Sequence, residues 1–109
     1  MAQTLKTLAQ TAPSATTLTD SYTVPALTST AVSSLVVCNR SATATSFRIS
    51  IAVAGAVDSI EQYIYYDVAI GGNDTFIATI GLTLATTDVI RVYATLATLS
   101  FSFYGTENT

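Results

Sequence analysis

The clearest pattern in the chain is an alternation of apolar and polar positions across residues 45–54. One face of this segment carries four large apolar side chains, namely Phe47, Ile49, Ile51 and Val53. A period of two over this length is typical of a β-strand with one buried face. The preceding segment, residues 32–40, has four apolar residues in succession and predicts a more deeply enclosed strand. The polar loop 41–44 between them predicts a hairpin.

Similar patterns recur along the chain and are separated by turn residues. They predict further strands at residues 16–24, 60–70, 75–80, 89–96 and 98–104, with Leu99, Phe101 and Phe103 pointing inward in the last one. The run from Gly71 to Asp74 is a strong turn signal, because Gly and Asn accept the positive φ values of a tight hairpin. No segment predicts a helix. The sequence therefore predicts an all-β fold, an antiparallel β-sandwich or jelly roll of about seven or eight strands.

The first fifteen residues have a weaker pattern than the rest. Pro13 and the spacing of Leu5 and Leu8 argue against a stable helix. We expect residues 1–15 to form an extended N-terminal arm that becomes ordered against a neighbour, with Leu5 and Leu8 as partner contacts. Residues 16–109 would then form a single β-sandwich domain.

Composition limits the classes of partner. Half of the residues are apolar and only 10% are charged, so Thr, Ser and Ala occupy positions that Lys and Glu normally fill. We expect part of the surface to be covered by a partner. The four basic residues are scattered and the net charge is −3, which argues against nucleic-acid binding. No segment is apolar enough to span a membrane, and the N-terminus does not resemble a signal peptide, so synthesis in a cytoplasm is expected.

The chain has no histidine and one cysteine, which excludes most enzymatic constellations. A Ser-His-Asp triad, a Cys-His pair and a histidine metal site are impossible. Cys38 cannot form an internal disulfide and is interpreted as an inert core thiol. We predict no enzymatic activity and no cofactor.

The remaining candidates are carboxylates and tyrosines. Two pairs, Asp58 with Glu61 and Asp67 with Asp74, could suggest a glycosidase or a calcium site, but both are better interpreted as solvated loop and strand residues. In the strand at 60–70, one predicted face combines acids with aromatic rings: Glu61, Tyr63, Tyr65 and Asp67. We predict Tyr63, Tyr65 and Tyr93 as partner contacts. Arg91 either pairs with an acid on a neighbouring strand or faces a partner subunit.

Several short runs resemble small virion proteins of tailed bacteriophages. The runs are Leu35-Val36-Val37-Cys38-Asn39-Arg40, Ser46-Phe47-Arg48-Ile49, Tyr65-Tyr66-Asp67, Asn73-Asp74-Thr75, Asp88-Val89-Ile90-Arg91-Val92 and Phe101-Ser102-Phe103-Tyr104-Gly105-Thr106-Glu107. The resemblance spans most of the chain after Asp20 and brings no catalytic residues with it.

This resemblance implies a structural role on a virus particle. It predicts a capsid decoration or cement protein that binds the major capsid protein or other virion subunits, stabilises the assembled head, forms a homo-oligomer (a trimer or a dimer) and lies on the capsid surface. The alternative is a tail, neck or receptor-binding component with the same fold. A small hydrolase or lectin-like module is the third hypothesis, and the missing histidines disfavour it.

Overall fold

The computed structural model describes residues 2–109 and contains eight β-strands and two short 3-10 helices. The helices are Val53–Gly55 and Ile60–Gln62. The strands are β1 (Gln3–Thr11), β2 (Thr19–Thr23), β3 (Ser29–Asn39), β4 (Thr45–Ala52), β5 (Tyr63–Ile70), β6 (Thr75–Leu84), β7 (Val89–Ala94) and β8 (Leu99–Asn108). The all-β prediction is confirmed.

The strands form two four-stranded sheets with the orders β1-β8-β3-β6 and β2-β7-β4-β5. All pairings between these strands are antiparallel. The chain pairs first with last, β1 with β8, then β2 with β7, β3 with β6 and β4 with β5. These four pairs form one long two-stranded antiparallel ribbon. Folding of the ribbon onto itself places β8 beside β3 and β7 beside β4. The arrangement is that of a jelly roll.

The core lies between the inner faces of the two sheets. Phe101 and Phe103 of β8 are fully buried, as is Phe47 of β4 on the opposite sheet. The ring of Phe47 meets Phe101 edge-on at a centroid distance of 6.0 Å and Phe76 at 5.3 Å. Burial of each such side chain contributes about 1.5–3 kcal/mol, so these contacts hold the two layers together.

The connections differ from the prediction. Residues 41–44 and 71–74 do not close hairpins, because β3 and β6 lie in one sheet while β4 and β5 lie in the other. Among consecutive strands, only β4 and β5 are hydrogen-bonded neighbours in the described chain. A loop that crosses between sheets about 10 Å apart uses the same Gly and Asn turn residues as a hairpin. The turn residues therefore predict where the chain reverses direction, but they do not predict which strands pair.

The predicted N-terminal arm is absent from the described residues. Residues Gln3–Thr11 form β1, an edge strand that pairs with β8 from Gln3↔Asn108 to Thr11↔Phe101. The Thr-rich sequence suits a strand once β8 supplies a partner edge. A bulge between Thr7 and Ala9 turns Leu8 into the core, where it is 9% exposed, while Leu5 is 83% exposed.

Strand β3 is buried on its inner face and partly exposed on its outer face. Leu35 and Val37 are fully buried, whereas Val36 and Cys38 are half-buried on the outer side of the sheet. No third layer covers that side within residues 2–109. The four apolar residues in succession therefore alternate between the core and the outer face. Cys38 is accordingly a half-exposed free thiol and not a core thiol.

Strand β5 differs from the predicted faces around Tyr65 and Tyr66. Two residues of β5 lie opposite one residue of β4 between the pairs Phe47↔Val68 and Ile49↔Tyr65, and Asp67 has φ +51° at this bulge. The extra residue exchanges the faces locally, whereas Val68 and Ile70 face the core as predicted. Tyr65 packs inward on Phe76 with ring centroids 5.3 Å apart, and its neighbour Tyr66 points outward, 56% exposed.

A glycine at the closest approach of β8 to β3 provides a test of this packing. A Cβ on Gly105 would lie 2.0 Å from the carbonyl oxygen of Ala31, whereas a Cβ on Gly81 would meet nothing within 4 Å. We expect Gly105→Ala to lower the free energy of unfolding by about 1–3 kcal/mol, because the backbone of β8 or β3 must shift to make room for the added methyl group. Gly81→Ala should stay within about 0.5 kcal/mol of the parent. Equal urea midpoints for the two variants would contradict the strand order.

Candidate functional site

Three connections meet at one end of the sandwich and are tied together by Asp88. Its buried carboxylate accepts hydrogen bonds from the backbone N–H groups of Ala54 and Ala85, each at 2.9 Å. Its backbone carbonyl accepts a third from the N–H of Val24 at 3.0 Å. The Thr86 hydroxyl donates to the carbonyl of Pro25 at 2.6 Å. Residues 24–28, 53–62 and 85–88 are therefore fixed relative to one another.

These fixed loops carry an exposed apolar surface that we name the apolar end. It consists of Leu27, Val53, Val57 and Ile60, which are 93%, 69%, 87% and 85% exposed. Leu5 belongs to the same end, since it pairs with Thr106 near the end of β8. Single exposed aliphatic residues are ordinary on soluble proteins, whereas contiguous apolar patches are typical of interaction sites.

Backbone strain accompanies the apolar end. Leu27 has φ +56° and Ala54 has φ +54°, in the left-handed region that residues with a Cβ rarely adopt. Such conformations persist when surrounding hydrogen bonds hold them, and they concentrate at functional positions. The sequence pattern missed this surface. A signal was available for Leu27 and Val57, which are large aliphatic residues in segments that are otherwise turn-like. Ile60 gave no such signal, because the pattern assigns it to the predicted strand at 60–70.

The outer face of the second sheet carries a second cluster, which we name the arginine stack. The guanidinium carbon of Arg48 lies 4.2 Å from the ring centroid of Tyr66 and 4.5 Å from that of Tyr93. Its Nε and Nη2 donate to the two carboxylate oxygens of Asp67 at 2.7 and 3.3 Å. The hydrogen bonds to Asp67 raise the pKa of Arg48 above its usual value. A guanidinium between two rings fixes both tyrosines.

Two further residues extend this outer face. The ring of Tyr63 meets Tyr66 edge-on at 5.1 Å, and its hydroxyl donates to Asp58 at 3.0 Å. Burial, followed by this hydrogen bond, raises the pKa of Tyr63. Arg91 pairs with Asp20 on the neighbouring strand at 3.0 Å and donates to the carbonyl of Ala56 at 2.7 Å. Arg91 therefore joins β7, β2 and the 53–62 loop.

The six predicted partner contacts fall in different places. Leu5 lies at the apolar end, whereas Leu8 and Tyr65 point into the core because of the bulges in β1 and β5 and offer no contact surface. The remaining three, Tyr63, Arg91 and Tyr93, are half-buried on the outer face of the second sheet. The structure brings those three together with Tyr66 and Arg48, which the predicted set of contacts did not include.

The predicted carboxylate pairs are each engaged separately. Asp58 accepts from Tyr63, Asp67 from Arg48, and Asp74 from the backbone N–H of Thr75 at 2.8 Å. The Ser59 hydroxyl bonds Glu61 and lowers its pKa. Within residues 2–109, no three His, Cys, Asp or Glu side chains are grouped so that they could hold a metal ion.

The structure also contains a surface depression of about 300 Å³ beside β1 and β8. Its walls carry no titratable side chain, and they are formed by Gln10, Thr11, Ala12, Ser100, Phe101 and Ser102. Neither this depression nor the separated carboxylates bring reactive groups together. The apolar end and the arginine stack remain as candidate recognition surfaces.

A buried polar cluster lies close to the apolar end. The Tyr22 hydroxyl is hydrogen-bonded to the Glu107 carboxylate and lies 2.8 Å from the hydroxyl of Thr30. Lys6 Nζ donates to the other Glu107 oxygen at 3.1 Å. Burial, with the bond to Glu107, raises the pKa of Tyr22 to about 12. The bond from Tyr22, and then Lys6, lowers the pKa of Glu107. This cluster links β1, β2, β3 and β8.

Comparisons of the chain with protein-family models, curated proteins and solved structures found no match. Within residues 2–109, no helix has the length and apolar character needed to cross a membrane. Function must therefore be inferred from the geometry of this chain alone.

Replacing Arg48 tests whether the arginine stack is a fixed surface. We expect Arg48→Ala to lower the free energy of unfolding by about 1–2 kcal/mol, because it removes two cation–π contacts and the pairing with Asp67. Arg48→Lys should recover only part of this loss, since an ammonium cannot stack or bind both carboxylate oxygens. Arg40→Ala, which removes an arginine from a loop, is the matched control. If Arg40→Ala lowers the free energy of unfolding in urea as much as Arg48→Ala does, the contacts of the arginine stack do not stabilise the fold.

The Glu107 cluster predicts a dependence of stability on pH at both extremes. The folded-state pKa of Glu107 is lowered, so its stabilisation is complete above the ordinary value of 4.5 and is lost as pH falls through the folded value. The pKa of Tyr22 is raised from 10.0 to about 12, so its stabilisation is complete below pH 10.0 and is lost as pH rises to about 12.

Variants of Glu107 and Tyr22 test the acid and the alkaline parts of this pH dependence separately. The difference in unfolding free energy between the parent and Glu107→Gln should shrink in acid, and the difference between the parent and Tyr22→Phe should shrink in alkali. Urea titrations at about pH 3, 7 and 11 measure both differences. A difference that stays constant across these conditions would contradict the coupling.

Proposed function

We propose that this chain is a structural subunit of a tailed-phage virion, a capsid decoration protein that binds and stabilises the assembled head. The observation that carries the proposal is the apolar end, where rigid loops expose several aliphatic side chains to solvent. Burying them on a partner is favourable by about 25 cal/mol per Å². A docking subunit benefits from such a surface, because it binds only after the partner has assembled.

Rigidity supports this role. The hydrogen bonds of Asp88 hold the loops in one arrangement before binding, which reduces the entropy lost on docking. A subunit that binds the assembled shell and not its dissociated parts stabilises the shell by mass action. The scarcity of charge along the chain also suits a subunit with much of its surface covered, since interface cores are depleted in charged residues.

The alternative is a tail, neck or receptor-binding component of the virion. The arginine stack favours it, because Tyr66 presents an aromatic ring that is 56% exposed and held in place by Arg48. A pre-oriented tyrosine gives contact area at a small cost in side-chain entropy. In this alternative the outer face of the second sheet would recognise the ligand, and the apolar end would attach the subunit to the particle.

The location of the chain in a particle distinguishes the two. Cryo-electron microscopy and quantitative mass spectrometry of purified particles that contain this chain would give its position and stoichiometry. The proposal expects copies across the head in a number near that of the major capsid protein. A few copies at one vertex, or copies confined to the tail, would contradict it.

Charge substitutions at the apolar end test the docking surface directly. We expect Leu27→Asp and Ile60→Asp each to weaken binding to particles stripped of this subunit by at least about tenfold, because each loses about 1.5–3 kcal/mol of apolar burial. Leu96→Asp in the β7–β8 loop at the opposite end is the control, and thermal melting must verify that it folds because Leu96 is only 36% exposed. Both test side chains are almost fully exposed, so the fold should be retained. Equal binding by all three variants would exclude the apolar end.

A further inference from the structure

The first half of one of the four sheet edges lacks a bulge and a charge. The edges are β1 and β6 in the first sheet and β2 and β5 in the second. Natural proteins protect edges with short strands, bulges and charges. Strand β2 has five residues and a bulge, β5 has the bulge at Asp67, and β1 has a bulge and Lys6. Strand β6 has ten residues and contains no charged residue and no proline.

The first half of β6 is regular as well as uncharged. From Thr75 to Thr79 it pairs with β3 without a register shift, and its irregularity comes later, between Thr79 and Leu82. Its free side leaves alternate backbone N–H and C=O groups without a partner in the described chain, because β6 pairs only with β3. This segment is therefore a straight template for another strand.

The sequence of this segment complements itself when two copies run antiparallel. A two-fold axis at Ile77 places Thr75 opposite Thr79 of the second copy and Ile77 opposite itself on the outer face. On the core side the large Phe76 meets the small Ala78. Cross-strand Thr–Thr and aliphatic pairs stabilise antiparallel sheets, and a large residue opposite a small one avoids a clash. Ile77 is 67% exposed, so pairing would bury it.

The surroundings of β6 allow a close approach. The chain has four basic and seven acidic residues, and none of them lies on the outer face of the first sheet. They lie in loops, in the Glu107 cluster or on the outer face of the second sheet. Beside β6, the outer face of the first sheet holds Val36, Cys38, Ser100 and Ser102. Two copies joined at β6 would meet no like charge at the junction.

We propose that two copies of this chain form a dimer by antiparallel pairing of Thr75–Thr79 across a two-fold axis at Ile77. The first sheets of the two copies then form one continuous eight-stranded sheet. This pairing is independent of the proposed role on a phage particle, because it requires only the chain itself. The contact is short and buries less than the roughly 800 Å² per partner of a standard interface, so the dimer is weak and depends on concentration.

Sedimentation velocity of the full chain over about 1 μM to 1 mM tests the dimer. We expect the parent to shift from monomer to dimer within this range. Ile77→Lys places two like charges at the axis and should weaken dimerisation by at least tenfold. Leu5→Lys changes an exposed aliphatic residue on the opposite edge strand and should leave dimerisation unchanged. Circular dichroism and thermal melting verify that both variants fold. A parent that stays monomeric throughout, or an Ile77→Lys variant that dimerises normally, would overturn the proposal.

Cross-linking tests the register. In a Cys38→Ser background, Ile77→Cys should form a disulfide-linked dimer on mild oxidation, because residues opposite each other on antiparallel strands have Cβ atoms about 4.5–5.5 Å apart. Thr83→Cys lies on the same strand and face but far from the axis, and it should remain monomeric. Equal cross-linking of the two variants would exclude an axis at Ile77.

Discussion

The insertion of β8 between β1 and β3 is the interaction on which the rest of the structure depends. The last strand of the fold gives the first strand its only sheet partner and completes the first sheet. It also contributes Phe101 and Phe103 to the centre of the core. Gly105 allows its backbone to approach Ala31. Most stabilising contacts therefore join distant parts of the sequence, and the entropy of closing long loops must be overcome before the core forms.

Rolling this ribbon sorts the side chains into surfaces with different properties. The connections 24–28, 53–62 and 85–88 converge at one end, where Asp88 satisfies backbone groups of all three. Charged and aromatic residues collect on the outer face of the second sheet, with Arg48 and Arg91 paired to acids there. The outer face of the first sheet keeps only hydroxyl, thiol, amide, aliphatic and aromatic groups. The apolar end and the free edge of β6 are thus separate parts of the molecule.

The sequence predicted the strands well because alternation is a local property. The segments around Phe47 and Phe101 needed only the period of two to be assigned, and both residues are buried as expected. Pairing could not be predicted in the same way, since a turn such as 71–74 serves a hairpin and a crossing between sheets equally. The inward orientation of Leu8 and Tyr65 could not be predicted either, because the bulges at Leu8 and Asp67 arise from the fit to neighbouring strands.

The same limit explains which parts of the candidate surfaces were predictable. Tyr63, Arg91 and Tyr93 were identified by residue type, but their position on one face with Arg48 depends on the register between β4, β5 and β7. The apolar end depends on Asp88, which resembles an ordinary turn residue in the sequence. Its buried carboxylate holds Ala54 at a positive φ, a conformation that costs about 1–3 kcal/mol. Folding alone gains no free energy from aliphatic side chains that are held in solvent on strained loops. Their burial against a partner would be favourable. The strain at Ala54 and the exposure of its neighbour Val53 are therefore both consistent with the docking surface that we propose at this end of the sandwich.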